Sequence, residues 1–244
     1  MGGRKAIGRR ILPIVVFLAG LGLVVFASVS LWAGWAEDAA ARGEYDSLRE
    51  QMTAATEGDT HTDPPSGARV DMSYFTAINP DFVGWLSIAG MPISYPVVQG
   101  EDNAHYLHTT FRGEQNPAGA VFMDYRARQC FVSPVTILYG HNMRDGSMFG
   151  ALIDYLDADF LREHPRLTII TADGDTLVYE VFYARRAGAW DDVYALDFND
   201  AAQAAEFFAT APSGASRFLV LSTCEGGNDR NSRVVVYAAL MEGV

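Results

Sequence analysis

The sequence predicts a mainly β protein, a closed eight-stranded barrel with peripheral helices, preceded by one N-terminal transmembrane helix. Three observations carry that prediction. Eight short runs rich in β-branched and aromatic residues are divided by Gly, Pro, Asp or Asn. Several of them are apolar on successive residues and not on alternate ones, which suits strands of a closed barrel covered by helices better than an open one-sided sheet. Residues 11–35, ILPIVVFLAGLGLVVFASVSLWAGW, run for 25 positions without one ionisable side chain.

That apolar run comes first in the chain. As a helix at ~1.5 Å per residue it covers roughly 37 Å, more than the ~30 Å hydrocarbon core of a bilayer. Trp32 and Trp35 fall where an interface would hold them. Arg4, Lys5, Arg9 and Arg10 precede the run and Glu37 and Asp38 follow it. The positive-inside rule then makes residues 1–10 a cytoplasmic tail, 11–35 a single-pass anchor in the cell membrane, and everything after it extracellular. Membrane lipid is the expected partner of 11–35. A cleaved signal peptide is the rival reading, with small residues in AEDAAA for a cut, but its apolar core would span only ~7–15 residues.

Residues 36–68 read as a juxtamembrane helix, AEDAAARGEYDSLREQMTAAT, and a linker, EGDTHTDPPSG, without periodicity. The folded domain is expected over 69–244. Its candidate strands are FVGWLSI, ISYPVV, GAVFMDY, PVTILYG, RLTIIT, TLVYEVFYARR, RFLVLST and RVVVYAAL, and the Asp-Gly of TADGDT marks a hairpin between the fifth and sixth. Helices are expected in DMSYFTAINP, before the first strand, and in SMFGALIDYLDADFLREHP, where Phe149, Leu152, Ile153 and Leu156 keep helical spacing. A third, NDAAQAAEFFAT, begins at an Asn199 or Asp200 cap inside the long connection from Gly188 to Ser216.

Composition excludes some functions. Half the residues are apolar (49%), so the chain can bury a core and is not globally disordered. The net charge is −12, and since the four basic residues before the span carry +4, the remainder carries −16. A nucleic-acid partner needs a basic face and none is visible. The acidity reads as solubility in an extracellular domain, with attraction of basic partners as the functional alternative.

The chain has two cysteines, Cys130 and Cys224. In an external domain a disulfide between them is one reading. The other is catalytic. The seventh strand ends at Cys224 and the eighth begins at Arg233, so antiparallel pairing would set thiol and guanidinium at one end of adjacent strands. Arg230, in the turn, is a rival for that role. His141 follows Gly140 where the fourth strand leaves the sheet. A thiol attacks effectively when an imidazole takes its proton and a cation steadies the charge arising on a carbonyl oxygen. The backbone N–H of Glu225 is a second candidate for that oxygen. Asp124, Asp145 and Asp229 are candidates to orient His141, and spacing does not choose among them. His105 and His108 lie near Asp102 and could hold a metal, but a fourth ligand is not evident and surface histidines are the plainer reading.

These residues carry a family resemblance. LSTCE followed by Arg233, with LYGHNMRDGSMFG, resembles the catalytic strands of sortases, the membrane-anchored cysteine transpeptidases of Gram-positive bacteria. NPDFVGWLSIAGMPISYPVVQGEDNAHYLHTTFRGEQNPAGAVFMDYR is similar to class B members in particular, and the likeness runs from about Met72 to Leu240. It implies a sortase-type barrel with a helix between the sixth and seventh strands. It implies that Cys224 attacks the threonine carbonyl of a C-terminal sorting motif to form a thioacyl-enzyme, with His141 as acid and base and Arg233 steadying the oxyanion. An amine of a cell-wall (peptidoglycan) precursor, or a pilin lysine, would resolve that intermediate, so the implied partners are surface proteins or pilins and that acceptor. Asn103 and Leu107, in EDNAHYL, would line the substrate groove, and Ser222 and Glu225 would flank the nucleophile. Tyr194 and Leu196 receive no assignment. The chemistry requires no metal or organic cofactor. Two other readings stay open, a membrane-tethered cysteine peptidase and a non-catalytic surface scaffold with a structural cysteine.

Overall fold

The structure, a computed structural model, describes residues 3–57, 69–128, 131–195, 201–226 and 231–241, with side chains from residue 17 onward. Cys130, Leu196, Asn199, Asp200, Asp229, Arg230 and most of the linker lie outside the described residues. The first helix, α1, runs over Gly3–Glu57. It is long and apolar enough to cross a membrane, and its large apolar side chains between Phe17 and Trp35 are exposed.

The compact unit begins at Ala41, not at residue 69. Ala41, Tyr45, Leu48 and Met52 recur at helical spacing and are buried in the main core. Tyr45 also donates its hydroxyl to the Gly119 carbonyl at 2.6 Å. The stretch read as a juxtamembrane helix is therefore amphipathic, with one face sealed against the domain.

Eight strands follow: β1 Phe82–Ile88, β2 Ser94–Val98, β3 Val121–Met123, β4 Val135–Tyr139, β5 Arg166–Thr171, β6 Thr176–Gly188, β7 Phe218–Cys224 and β8 Ser232–Leu240. They close in the order β1-β2-β3-β4-β7-β8-β6-β5. The β2–β3 and β4–β7 pairs are parallel and the others antiparallel. Among the described residues three short α-helices decorate the barrel, α2 Ser73–Ile78, α3 Ala158–Glu163 and α4 Ala201–Phe207.

The continuous apolar runs now have a physical reason. Along β7, Leu219 and Leu221 enter the main core, while Phe218 and Val220 enter a second cluster with Ala204 and Phe208 from α4 and its end. Along β8, Val236, Ala238 and Leu240 face the main core and Val235, Tyr237 and Ala239 the second cluster. Side chains alternate at period 2, but a helix covers the outer face, so both sets must be apolar.

The expected helix in SMFGALIDYLDADFLREHP is two elements. A 3-10 helix spans Gly150–Leu156, and α3 starts afresh after Asp157. Asp157 is extended (φ −88°, ψ 125°) and its carboxylate caps the N–H groups of Asp159 and Phe160. A capping side chain inside the periodic pattern thus breaks it. The Asp-Gly hairpin lies between Thr171 and Thr176, where Gly174 takes φ +85° and a Cβ would meet the Val70 carbonyl oxygen at 2.2 Å.

Candidate active site

Strand parity gathers the site. Cys224 and Ser222 share the face of β7 that carries Phe218 and Val220; Tyr139 shares the face of β4 that carries Val135 and Ile137; Arg233 shares the face of β8 that carries Val235. β4 and β7 run parallel with Tyr139 opposite Ser222, so His141 and Cys224, each two residues further on, leave the sheet at the same end. β7 and β8 are antiparallel with Cys224 opposite Arg233. A pocket of about 310 Å³ opens there, lined by Cys224, His141 and Arg233 together with Asn103, Leu107, Ser222, Phe122, Tyr139, Ala189, Tyr194 and neighbouring backbone.

Hydrogen bonds hold the two strand ends in register. Gly140 N–H donates to the Ser222 carbonyl at 3.2 Å and the Thr223 hydroxyl donates to the Gly140 carbonyl at 2.8 Å. The Asn142 amide donates to the Cys224 and Glu225 carbonyls at 3.0 and 3.2 Å. The loop bearing His141 is therefore tied to the strand bearing Cys224. Cys224 is an exposed free thiol, so it is not half of a disulfide.

Among the described residues His141 is held by a carbonyl, and Asp229 lies outside them. Its Nε2 lies 2.8 Å from the Leu107 oxygen. A carbonyl only accepts, so Nε2 carries the proton and Nδ1 is the nitrogen left for exchange. Asp145 instead pairs with Arg42 and caps Ser147, and Asp124 binds Arg126, Asn103 and Tyr139. Neither orients the imidazole.

Glu225 is turned away from the pocket. Its N–H already donates to the Ser232 carbonyl at 3.1 Å, as the first bond of the turn between β7 and β8, so it does not point at an oxyanion. Its carboxylate is turned to Arg186 and the Ser232 hydroxyl and does not line the pocket. Those hydroxyl and guanidinium partners hold its pKa below the usual carboxylate range. Among the described residues no cluster of His, Cys, Asp and Glu suits a metal ion; His108 stacks beside His141 with ring centroids 6.2 Å apart.

Sequence reasoning left out the aromatic wall. Tyr194 donates or accepts at Ser222 Oγ over 2.9 Å and stacks on Tyr139 at 6.3 Å. Tyr139 was within reach, being the last residue of β4 and two before His141. Tyr194 carried no such signal, since it sits in a 3-10 turn, Asp192–Tyr194, of the long β6–β7 connection. Behind this wall Asp124 is fully buried. Burial pushes its carboxyl up, but the Arg126 guanidinium and N–H, Asn103 and Tyr139 outweigh that and hold it below the usual range.

A free thiol, an imidazole and a guanidinium thus share one pocket at the end of a closed eight-stranded barrel. The sortase domain family matches residues 86–241. The chain belongs to the sortase family. The sortase B of Listeria monocytogenes is 32% identical over 242 residues, covering 92% of this chain and 97% of that one. A Staphylococcus aureus sortase B–substrate complex superposes with a TM-score of 0.70 at 29% identity, covering 85% of this chain and 99% of the other. A Streptococcus pyogenes class B sortase involved in pilus biogenesis gives 0.62 at 28% identity, covering 70% and 98%. This sortase is accordingly of class B, a cysteine transpeptidase of surface-protein anchoring.

Proposed function

We propose that this sortase cleaves a C-terminal sorting motif after its threonine and transfers the protein to an amine, with Cys224 as nucleophile, His141 as proton carrier and Arg233 as oxyanion partner. The observation that carries the reading is that the pocket holding these three side chains also presents Asn103, Leu107 and Ser222. The Cys224 Sγ attacks the threonine carbonyl carbon and its proton passes to His141 Nδ1. The charge gathers on the carbonyl oxygen beside the Arg233 guanidinium, which fits a developing oxyanion by shape and charge. As the C–N bond breaks, the proton moves on to the departing amine and a thioester remains. An incoming amine then attacks, gives a proton to Nδ1, and breaks the C–S bond; the thiolate takes that proton back.

The acceptor amine is a cell-wall precursor or a pilin lysine. The S. aureus neighbour is a substrate complex, and the S. pyogenes neighbour is involved in pilus biogenesis. Residues 11–35 anchor the chain in the cell membrane, with residues 1–10 in the cytoplasm and the catalytic unit outside; the basic residues before the span and the acidic ones after it support this orientation.

The test uses the full chain in detergent micelles and fluorogenic peptides ending in sorting motifs, with and without an amine acceptor. Amide product with the acceptor, and a Cys224 thioester trapped by mass spectrometry, are expected. Cys224→Ala should abolish both. Cleavage to acid alone, unaffected by any amine, points to a peptidase; no cleavage and no thioester with any motif leaves a scaffold.

A further inference from the structure

Asp124 follows β3 and its side chain has no exposure. Its two oxygens take five donors: Arg126 N–H at 3.0 Å and Arg126 Nε at 2.9 Å on Oδ1, and Arg126 Nη2, Asn103 Nδ2 and the Tyr139 hydroxyl at 2.9, 3.0 and 3.0 Å on Oδ2. A carboxylate offers about four lone-pair sites, so this one is fully committed and holds its neighbours in place. Two of those neighbours, Asn103 and Tyr139, are pocket walls.

The outer edge of Arg126 continues the chain of contacts. Its Nη2 donates to the Tyr194 carbonyl at 2.9 Å and its Nη1 to the Ala195 carbonyl at 3.4 Å. Tyr194 is thereby gripped from its backbone as well as at its hydroxyl, by Ser222. The rigid guanidinium fork is what lets one side chain hold a buried carboxylate on one edge and two loop carbonyls on the other.

We infer that the Asp124–Arg126 pair is a latch that clamps the β6–β7 connection onto the barrel and so sets the width of the sorting-peptide pocket. Arg126 is a positioning residue: it does not line the pocket, and it acts through Tyr194, Tyr139 and Asn103. The inference rests on the proposed function above, since it assigns the latch to binding of that peptide. Releasing Tyr194 weakens the grip on peptide side chains and leaves the thiol, imidazole and Arg233 where they are. The effect therefore belongs in KM and in discrimination between motifs, not in kcat.

The experiment compares wild type, Arg126→Ala, Arg126→Lys, Tyr194→Ala and the Arg126→Lys/Tyr194→Ala double variant, as full chains in micelles, on a cleaved sorting peptide and on analogues altered at one side chain. Loss of the charge-assisted hydrogen bond to the Tyr194 carbonyl by itself predicts a KM rise of at least about tenfold in each Arg126 variant. The change in kcat is expected to stay within about threefold. Selectivity among the analogues should narrow. Lysine keeps the charge but lacks the fork, so Arg126→Lys should keep its melting temperature and still raise KM; it decides the matter if Arg126→Ala does not fold. The double variant should raise KM no further than the worse single one, because both changes release the same wall. Should Arg126→Lys leave KM and selectivity as in wild type, lower kcat alone, or add fully to Tyr194→Ala, the latch is overturned. Absence of any cleavage by wild type sinks the proposed function instead, so the two failures are distinct.

Discussion

The imidazole Nε2 of His141 lies 2.8 Å from the backbone carbonyl oxygen of Leu107, 34 residues earlier in the chain. Histidine here is steered by the main chain of the loop before β3, a partner that no side-chain substitution removes. The neutral ring should therefore be the Nε2–H tautomer, with Nδ1 unprotonated. Imidazole 15N chemical shifts of the selectively labelled chain check this, and an Nδ1–H tautomer would contradict the proton path drawn above.

Arg233 stands opposite Cys224 in the β7–β8 ladder. Since the Glu225 N–H is already bonded to Ser232, the proposed role of Arg233 predicts that its guanidinium carries more of the oxyanion stabilisation. Arg233→Lys should lower kcat by about 10²–10³-fold, the scale of losing a preorganised donor. Thiol labelling of Cys224 should stay at the wild-type rate. A fall in kcat of less than a few-fold would remove Arg233 from the chemistry.

Gly140 precedes His141 and has the buried Phe149 ring against it. A Cβ there would stand 2.7–3.1 Å from three atoms of that ring, and Phe149 is fully buried and cannot withdraw. Gly140→Ala should cost about 1–3 kcal/mol of stability and displace the His141 loop. Urea melts paired with acyl-transfer rates measure both; an unchanged rate would mean that the loop absorbs the methyl elsewhere.

The juxtamembrane helix is part of the domain, with Leu48 fully buried in its core. Leu48→Ala should cost about 2–5 kcal/mol. Denaturant melts of a chain comprising residues 36–244 would reveal it. A chain starting at residue 69, where the linker ends, should fail to fold cooperatively; a normal melt from it would show that helix to be dispensable.

The Asp124 carboxyl is held below its ordinary pKa, near 3.9, in the folded state. A depressed carboxylate adds stability that is present in full above the unfolded value and is lost as pH falls through the folded one. Asp124→Asn at pH 7 should therefore cost about 2–3 kcal/mol, less than the ~3–5 of a fully buried pair because Arg126 reaches solvent. The gap between wild type and variant should stay level from pH 8 to 6 and close below about pH 4. A gap that widens on acidification would reverse the assigned sign.

Much of the barrel was legible. The eight runs became the eight strands because β-branched and aromatic residues fit a pleat buried on both sides, and β1 and β5 match their runs end to end. Helices were read less well. Asp157 interrupted a periodic pattern by capping a new helix, and the stripe Ala41, Tyr45, Leu48, Met52 was hidden by its charged neighbours. At the site, the strand pattern put Cys224, His141 and Arg233 at or just past strand ends, with Arg230 as a rival, and the resemblance to sortases singled out the three. The fate of Glu225 was not, since a turn hydrogen bond decides it.

By itself the amino-acid order determined the membrane-length apolar helix and the strand count, and it placed Cys224 and Arg233 at strand ends with His141 just past another, because period, length and turn residues are local properties. Only the tertiary structure decided that the Leu107 carbonyl holds His141, that the Glu225 N–H is occupied, and that Asp124 and Arg126 hold Tyr194 to the pocket. Those facts depend on contacts between segments tens of residues apart. Which acceptor meets which donor there is settled by how the barrel closes, and no local pattern encodes it.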